Sequence, residues 1–253
     1  MINKIKKPKL SIVTIVYNAE QYIEQTIKSI INQTYKNIEY IIIDGASTDK
    51  TLDIIKKYED SISIYISEKD NGIYDAMNKG INLATGDFIW FMNAGDEIYD
   101  KYTVENMFED FDNEDAFYGK TQLILENGDY ASITKTPDKL TWKNFMHGMV
   151  VSHQSIILST KSISKYNIQY KVVSDHDWII SALKNCKKIK NTDQIVSKYL
   201  LGGFSNQNFI KGWKERLIII NEHYGRLIYI FNLLLFGKAI IKNFIKKNIL
   251  GRK

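Results

Sequence analysis

The alternation of the first hundred residues constrains this chain more than any other feature. Four short runs rich in β-branched or aromatic residues, LSIVTIV (10–16), IEYIIID (38–44), ISIYIS (62–67) and DFIWFM (87–92), each lead into polar or turn residues. Stretches of helical character separate them. In 20–32, Tyr22, Ile23, Ile27, Ile30 and Ile31 recur at helical spacing with charges between them. Residues 51–58 and 72–84 read as two more helices. Strands alternating with helices of this length predict βαβ units and a mainly parallel sheet. Right-handed crossovers bring the strand ends to one edge. Thr14, Tyr17, Asn18, Asp44 and Asp96 fall at or just after such ends, so topology alone gathers them into one crevice, where open α/β sheets bind ligands.

Composition narrows the class. A chain of 253 residues suits one large α/β domain or two small ones. The single cysteine, Cys186, excludes an intramolecular disulfide and suits a reducing compartment. One cysteine with scattered histidines assembles no zinc cluster. The basic start, MINKIKKPKL, lacks the apolar core and cleavage site of a signal peptide, which predicts a cytoplasmic protein. From Phe204 onward there are ten basic and two acidic residues, which leaves 24 basic and 27 acidic for the rest. An acidic body with a basic tail argues against a nucleic-acid groove and for a tail that meets something anionic.

Beyond Asp96 the pattern changes. Residues 101–111 read as a helix, Asn127-Gly128-Asp129 as a hairpin turn, 155–158 as a strand, VVSDHDW as the approach to a helix, and 188–203 as one or two strands. The segment RLIYIFNLLLFG is nearly apolar all round, yet far short of the ~20 residues that span a bilayer. After it, Lys238, Lys242 and Lys246 border an apolar face of Ile241, Phe244, Ile245 and Ile249, the pattern of a basic amphipathic helix. Such a helix packs on protein or lies on an anionic membrane surface. The expected division is 1–203 as the catalytic domain, with halves 1–100 and 101–203, and 204–253 as a helical tail.

Two long stretches, SIVTIVYNAEQYIEQTIKSIINQTYKNIEYIIIDGASTDKT and SEKDNGIYDAMNKGINLATGDFIWFMNAGD, together resemble the nucleotide-sugar-binding half of family 2 glycosyltransferases. GIYDAMNKG is similar to enzymes that build bacterial surface polysaccharides. The likeness runs from about residue 10 to 96 and continues more weakly through SHQSII, VVSDHDW and LGGFS. It implies the glycosyltransferase A fold, a Rossmann-like sheet with helices on both faces. It also implies an inverting transfer from a nucleoside diphosphate sugar, aided by Mn2+ or Mg2+, to a glycan or lipid-linked acceptor. That work would take place in the cytoplasm or on the inner face of the cell membrane.

The resemblance also assigns roles. Thr14, Tyr17 and Asn18 would lie along base and ribose. Asp44 would accept from a base N–H, and Asp70 is a second candidate there. Where the family has an Asp-x-Asp element, this chain has Asn93-Ala94-Gly95-Asp96, so Asp96 would be the metal ligand and Asn93 a ribose or phosphate contact. Mg2+ needs only one or two protein carboxylates when phosphates and waters complete its shell. Asp175 would be the general base, with Asp177 its competitor. His153 and Gln154 are candidate acceptor or phosphate contacts, and Gly202, Gly203 and Ser205 a loop over the diphosphate. The incomplete acidic motif leaves one alternative, a catalytically weak nucleotide-sugar-binding or scaffold protein. No G-x-G-x-x-G follows a strand, which counts against a dinucleotide oxidoreductase.

Overall fold

The structure is a computed structural model that describes residues 7–202 and 208–245. Its first part follows the alternation: β1 (Leu10–Val16), α1 (Ile23–Ile31), β2 (Ile38–Asp44), α2 (Thr51–Lys56), β3 (Ile64–Ser67), α3 (Ile73–Leu83) and β4 (Phe88–Phe91). Every residue of β1 is buried, because both faces of the strand are covered. Ile12 and Val16 pack with Ile23 and Ile27 of α1, whereas Val13 and Ile15 pack with Ala76 and Met77 of α3. β1 pairs in parallel with β2 on one side and β4 on the other, and β3 lies beyond β2. The chain therefore reverses its direction of travel across the sheet at β1, and a crevice opens beyond the strand ends.

The second part comprises β5 (Glu97–Ile98), α4 (Thr103–Met107), β6 (Ala116–Ile124), β7 (Tyr130–Ile133), β8 (Ile156–Ser159), α5 (Ser174–Asn185) and β9 (Ile189–Leu200). β8 inserts antiparallel between β4 and β6, β9 runs parallel to β6, and β5 pairs antiparallel with β9. The nine-stranded sheet is thus mixed, and its parallel character is concentrated in β1–β4. Long connections such as that from β7 to β8 allow either strand direction, whereas a short βαβ crossover enforces one. β9 is a single strand with an irregularity near Asp193, whose φ is +53°.

Two helices end the described chain, α6 (Phe209–Tyr224) and α7 (Arg226–Ile245), separated at Gly225 with φ +81°. α6 buries Leu217, Ile219 and Ile220. Ile219 joins the same cluster as Trp178 and Ile180 of α5. On α7, Asn232 is fully buried, and its amide donates to the Met146 carbonyl at 3.0 Å. Among the described residues no helix is long and apolar enough to cross a membrane.

Candidate active site

A cleft of about 500 Å³ opens beyond β4, lined by Asn93 and Asp96 from the turn after that strand, by Asp175 from the start of α5, and by Tyr74, Gln154 and Tyr199. The turn is tied down from both sides. Ala94 N–H donates to Ile15 O at 3.1 Å, and Asp96 N–H to Asn93 O at 2.9 Å. The buried Thr26 hydroxyl of α1 donates to Asp96 O at 2.8 Å and accepts from Gly95 N–H at 3.0 Å. The chain then enters β5 rather than a helix, so Asp96 caps nothing and its side chain faces the cleft.

Asp96 is 5% exposed. Gln154 Nε2 donates to its carboxylate at 2.9 Å, and Leu200 N–H at 3.3 Å. Burial outweighs these bonds and pushes its pKa to about 7, helped by the like charge of Glu97. A buried carboxylate shifts this way when nearby donors fail to replace its lost hydration. Asn93 Oδ1, also in the cleft, is buried without a hydrogen-bond partner. These are hard oxygen acceptors with a deficit of positive charge, a donor set that fits Mn2+ or Mg2+ when substrate oxygens complete the shell. Among the described residues no group of three or more His, Cys, Asp or Glu side chains could hold a metal by itself.

Asp175 sits in the first turn of α5 on the cleft wall. Burial raises its pKa, against the lowering effects of His176 N–H, the Tyr74 hydroxyl and the charge of Arg216. Its neighbour Asp177 points elsewhere: His223 Nε2 of α6 lies 2.7 Å from its carboxylate, and Lys184 Nζ lies 2.7 Å from the other ring nitrogen. Asp177 does not line the cleft.

The residues expected to hold the nucleotide divide into two kinds. Thr14 is fully buried, and its hydroxyl donates to Met92 O at 2.8 Å, tying β1 to β4 rather than reaching a ligand. Asp44 is also fully buried. It accepts from Ser47 N–H at 3.0 Å, the Ser47 hydroxyl at 2.5 Å and the Ser67 hydroxyl at 2.6 Å. Asn18, at φ +45°, accepts from Thr48 N–H at 2.9 Å. These three hold the crevice loop in shape, since short polar side chains after a strand readily bond the adjacent turn. Tyr17 and Asp70 are the second kind. The Tyr17 ring is 64% exposed. A Cβ on Gly45 would stand 2.6 Å from Asp70 Oδ2 and 3.3 Å from the Tyr17 ring, so both side chains lie close over this glycine; Asp70 also accepts from Gly72 N–H at 2.9 Å.

His153 and Gln154 both line the cleft. His153 stacks on Phe91 and shares a 2.7 Å hydrogen bond with the Tyr166 hydroxyl, and burial lowers its pKa to about 4. Gln154 acts on Asp96, as above. Trp178 stacks on Tyr166 at 4.6 Å and is packing, not a sugar platform. Gly202 lines the cleft; Gly203 and Ser205 lie outside the described residues.

A family model described as Glycosyl transferase family 2 matches residues 11–179. The chain belongs to that family. It is a glycosyltransferase, with the glycosyltransferase A fold. Among family 2 relatives, the PGL/p-HBAD biosynthesis glycosyltransferase of Mycobacterium bovis is 28% identical over 218 residues, covering 83% of this chain and 84% of that protein. An uncharacterized glycosyltransferase of Haemophilus influenzae is 27% identical over 248 residues, covering 89% and 96%. Among solved structures, S. aureus TarS 1-349 in complex with UDP-GlcNAc superposes with a TM-score of 0.66 at 20% identity, covering 89% of this chain and 71% of that one. The chain spans only 40% of a longer TarS chain.

The family 2 match ends within α5, so what lies behind Asp175 was not legible from it. Glu215 of α6 accepts hydrogen bonds from the N–H groups of Lys171, Val172 and Val173 at 2.9, 2.8 and 3.2 Å. Sequence reading missed Glu215, Tyr74 and Arg216. For Glu215 the signal was an acid in a basic tail, at a position that the helix buries.

Proposed function

We propose that this glycosyltransferase moves a sugar from a nucleoside diphosphate sugar, of the UDP class, to a hydroxyl of a glycan or lipid-linked acceptor in bacterial surface polysaccharide synthesis, with inversion. The observation that carries the reading is one cleft lined by two carboxylates with different surroundings, Asp96 buried and Asp175 half-buried. Asp96, beside the unpartnered oxygen of Asn93, attracts a cation. Asp175, within 3.3 Å of the Tyr74 hydroxyl, is a base whose pKa is raised by burial.

In this reading Tyr17 and Asp70 receive the base of the nucleotide, and Asp96 with Asn93 would hold Mn2+ or Mg2+. The cation would supply the positive charge that stabilises the departing nucleoside diphosphate. Asp175 takes the proton of the acceptor hydroxyl as its oxygen bonds to the anomeric carbon. The bond from that carbon to the diphosphate oxygen breaks, and its electron pair leaves with the nucleotide. Attack opposite the leaving group inverts the centre. The Tyr74 hydroxyl, with a pKa well above 10 through burial, stays protonated and orients the carboxylate. The names of the relatives support the substrate class: PGL/p-HBAD biosynthesis for the mycobacterial protein, UDP and UDP-GlcNAc with TarS, and GDP-Man with Mn2+ for the Pyrobaculum calidifontis mannosyltransferase PcManGT.

Titration with UDP, dTDP, GDP and CDP, each with and without Mn2+, tests the reading. Tight binding of a pyrimidine diphosphate only with metal, followed by release of UDP from UDP-hexoses, supports it. Nucleotide binding that ignores metal, without turnover, favours the scaffold alternative.

The acceptor side carries a second element of the proposal. Leu227, Ile230, Phe231 and Leu234 on α7 are 84%, 49%, 51% and 65% exposed. Their spacing puts them on one face, opposite the buried Asn232, with Arg226 and Lys238 at the two ends. This exposed stripe begins more than two turns earlier than the amphipathic stretch expected from the lysines. It suits docking on an anionic membrane that carries a lipid-linked acceptor.

A further inference from the structure

The segment preceding α5 is held by two elements distant in sequence. From one side, the buried Glu215 of α6 gathers three consecutive N–H groups, those of Lys171, Val172 and Val173. From the other, the Tyr74 hydroxyl of α3 donates to Val172 O at 2.8 Å and approaches Asp175 Oδ1 at 3.3 Å. The segment ends one residue before helix α5, in whose first turn Asp175 lies. Three N–H groups converging on one carboxylate fix the direction of a short peptide far better than a single bond does, since hydrogen bonds to a charged acceptor are the stronger kind. Nothing else within 171–173 forms secondary structure.

We propose that Glu215 is a positioning residue for the reaction: by clamping the peptides of 171–173 it sets where the Asp175 carboxylate stands in the cleft, so that helix α6, outside the family-matched residues, is a working part of the active site. The inference rests on the reading of Asp175 as the base. Displacing a reacting group by about 1 Å can cost on the order of 100-fold in rate. Loss of the clamp therefore lowers kcat much more than nucleotide affinity.

The test is a double-mutant cycle, read as UDP released from UDP-hexose, with UDP affinity and thermal unfolding measured on each protein. Glu215→Gln is expected to lower kcat about 10- to 100-fold with UDP affinity within about twofold. Glu215→Asp, which keeps the charge but shortens the reach, carries the same cycle if the glutamine variant does not fold. In the Asp175→Asn background either change should cost less than about twofold, because a residue that acts through Asp175 has nothing left to position. An equal loss in both backgrounds, or a kcat loss matched by lost UDP affinity, overturns the proposal while leaving the base assignment standing. Asp175→Asn alone retaining more than about a tenth of the activity sinks both.

Discussion

At the end of β2, Asp44 is fully buried and receives three hydrogen bonds from two serines; at the end of β4, Asp96 is buried almost as deeply and receives two, one of them 3.3 Å long. The first carboxylate is satisfied by its own loop. The second is left with a pKa of about 7 and faces a cleft. Both acids stand after a parallel strand of the same sheet, and the sequence around them offers the same reading. Local donors make the difference: Ser47 and Ser67 lie within reach of Asp44, whereas the turn at Asp96 directs its backbone bonds to α1. One acid builds the crevice loop and the other faces the cleft. Asp175, on the wall of the same cleft, is a third case, half-buried and steadied by Tyr74 and the charge of Arg216.

The largest expected effect contrasts the chemical side of the cleft with everything else. Asp175→Asn should lower kcat by about 10²- to 10⁴-fold, the usual contribution of a positioned base. Asp177→Asn, which only breaks the contact with His223, should change it by no more than a few-fold. Steady-state UDP release measures both, and equal losses would remove the distinction between the two acids. Next comes Asp96→Asn, expected to abolish the tightening of UDP binding by Mn2+ while binding without metal persists. Calorimetric titration checks this, and metal dependence that survives would end the ligand assignment.

Asp44→Asn sharpens the comparison from the opposite side. An amide places an N–H₂ among three donors, and leaving such groups unsatisfied costs roughly 1–3 kcal/mol. The variant should melt at lower temperature while Mn2+ still tightens whatever UDP binds. A loss of metal dependence at Asp44 would erase the contrast.

How much of this was legible in the sequence follows the same division. β1–β4 and their helices could be read closely, because a parallel strand covered on both faces is a continuous apolar run and its crossovers are local. The turn Asn93-Ala94-Gly95-Asp96 was legible for the same reason. The state of Asp44 was not, since Ser67, which completes its satisfaction, is 23 residues away and reaches it only through the β2–β3 register. Thr14 looked like a ligand contact because it lies near a strand end; whether its hydroxyl faces ligand or Met92 depends on how β4 docks. Asp175 could be named from VVSDHDW, but the clamp behind it could not, because Glu215 lies some 40 residues on in a helix whose docking no periodicity reveals. The antiparallel entry of β8 was hidden for the same reason, as a long connection imposes no direction.

A pH experiment follows from the unsatisfied state of Asp96. Its folded pKa of about 7 stands above the ordinary carboxylate value, so the folded protein holds a proton there that the unfolded chain has released. Without metal, this group makes stability fall as pH rises from about 4 to about 7, and the contribution is flat beyond that window. Asp96→Asn should remove that part of the slope. Metal competes with the same proton, so Mn2+ affinity in the presence of UDP should rise by up to about tenfold per pH unit below 7 and level off above it. A pH-independent affinity would mean that Asp96 holds no such proton in the folded protein, and the ligand assignment would lose its support.

The smallest expected effect on chemistry belongs to α7, where the comparison moves from buried acids to exposed apolar side chains. Leu227, Ile230, Phe231 and Leu234 share a face that the body leaves bare, while the opposite face is anchored through Asn232. Replacing Leu227, Phe231 and Leu234 by serine removes apolar surface only where water already reaches, so folding loses little. Insertion into a bilayer surface loses on the order of several kcal/mol, the transfer free energy of three large apolar side chains. The triple variant should therefore release UDP from UDP-hexose at the unaltered rate yet fail to float with anionic vesicles. If wild-type protein also stays off such vesicles at low salt, the stripe covers a protein partner and the membrane assignment falls. Activity lost along with flotation would instead mean that α7 steadies α6, and through Glu215 the base itself.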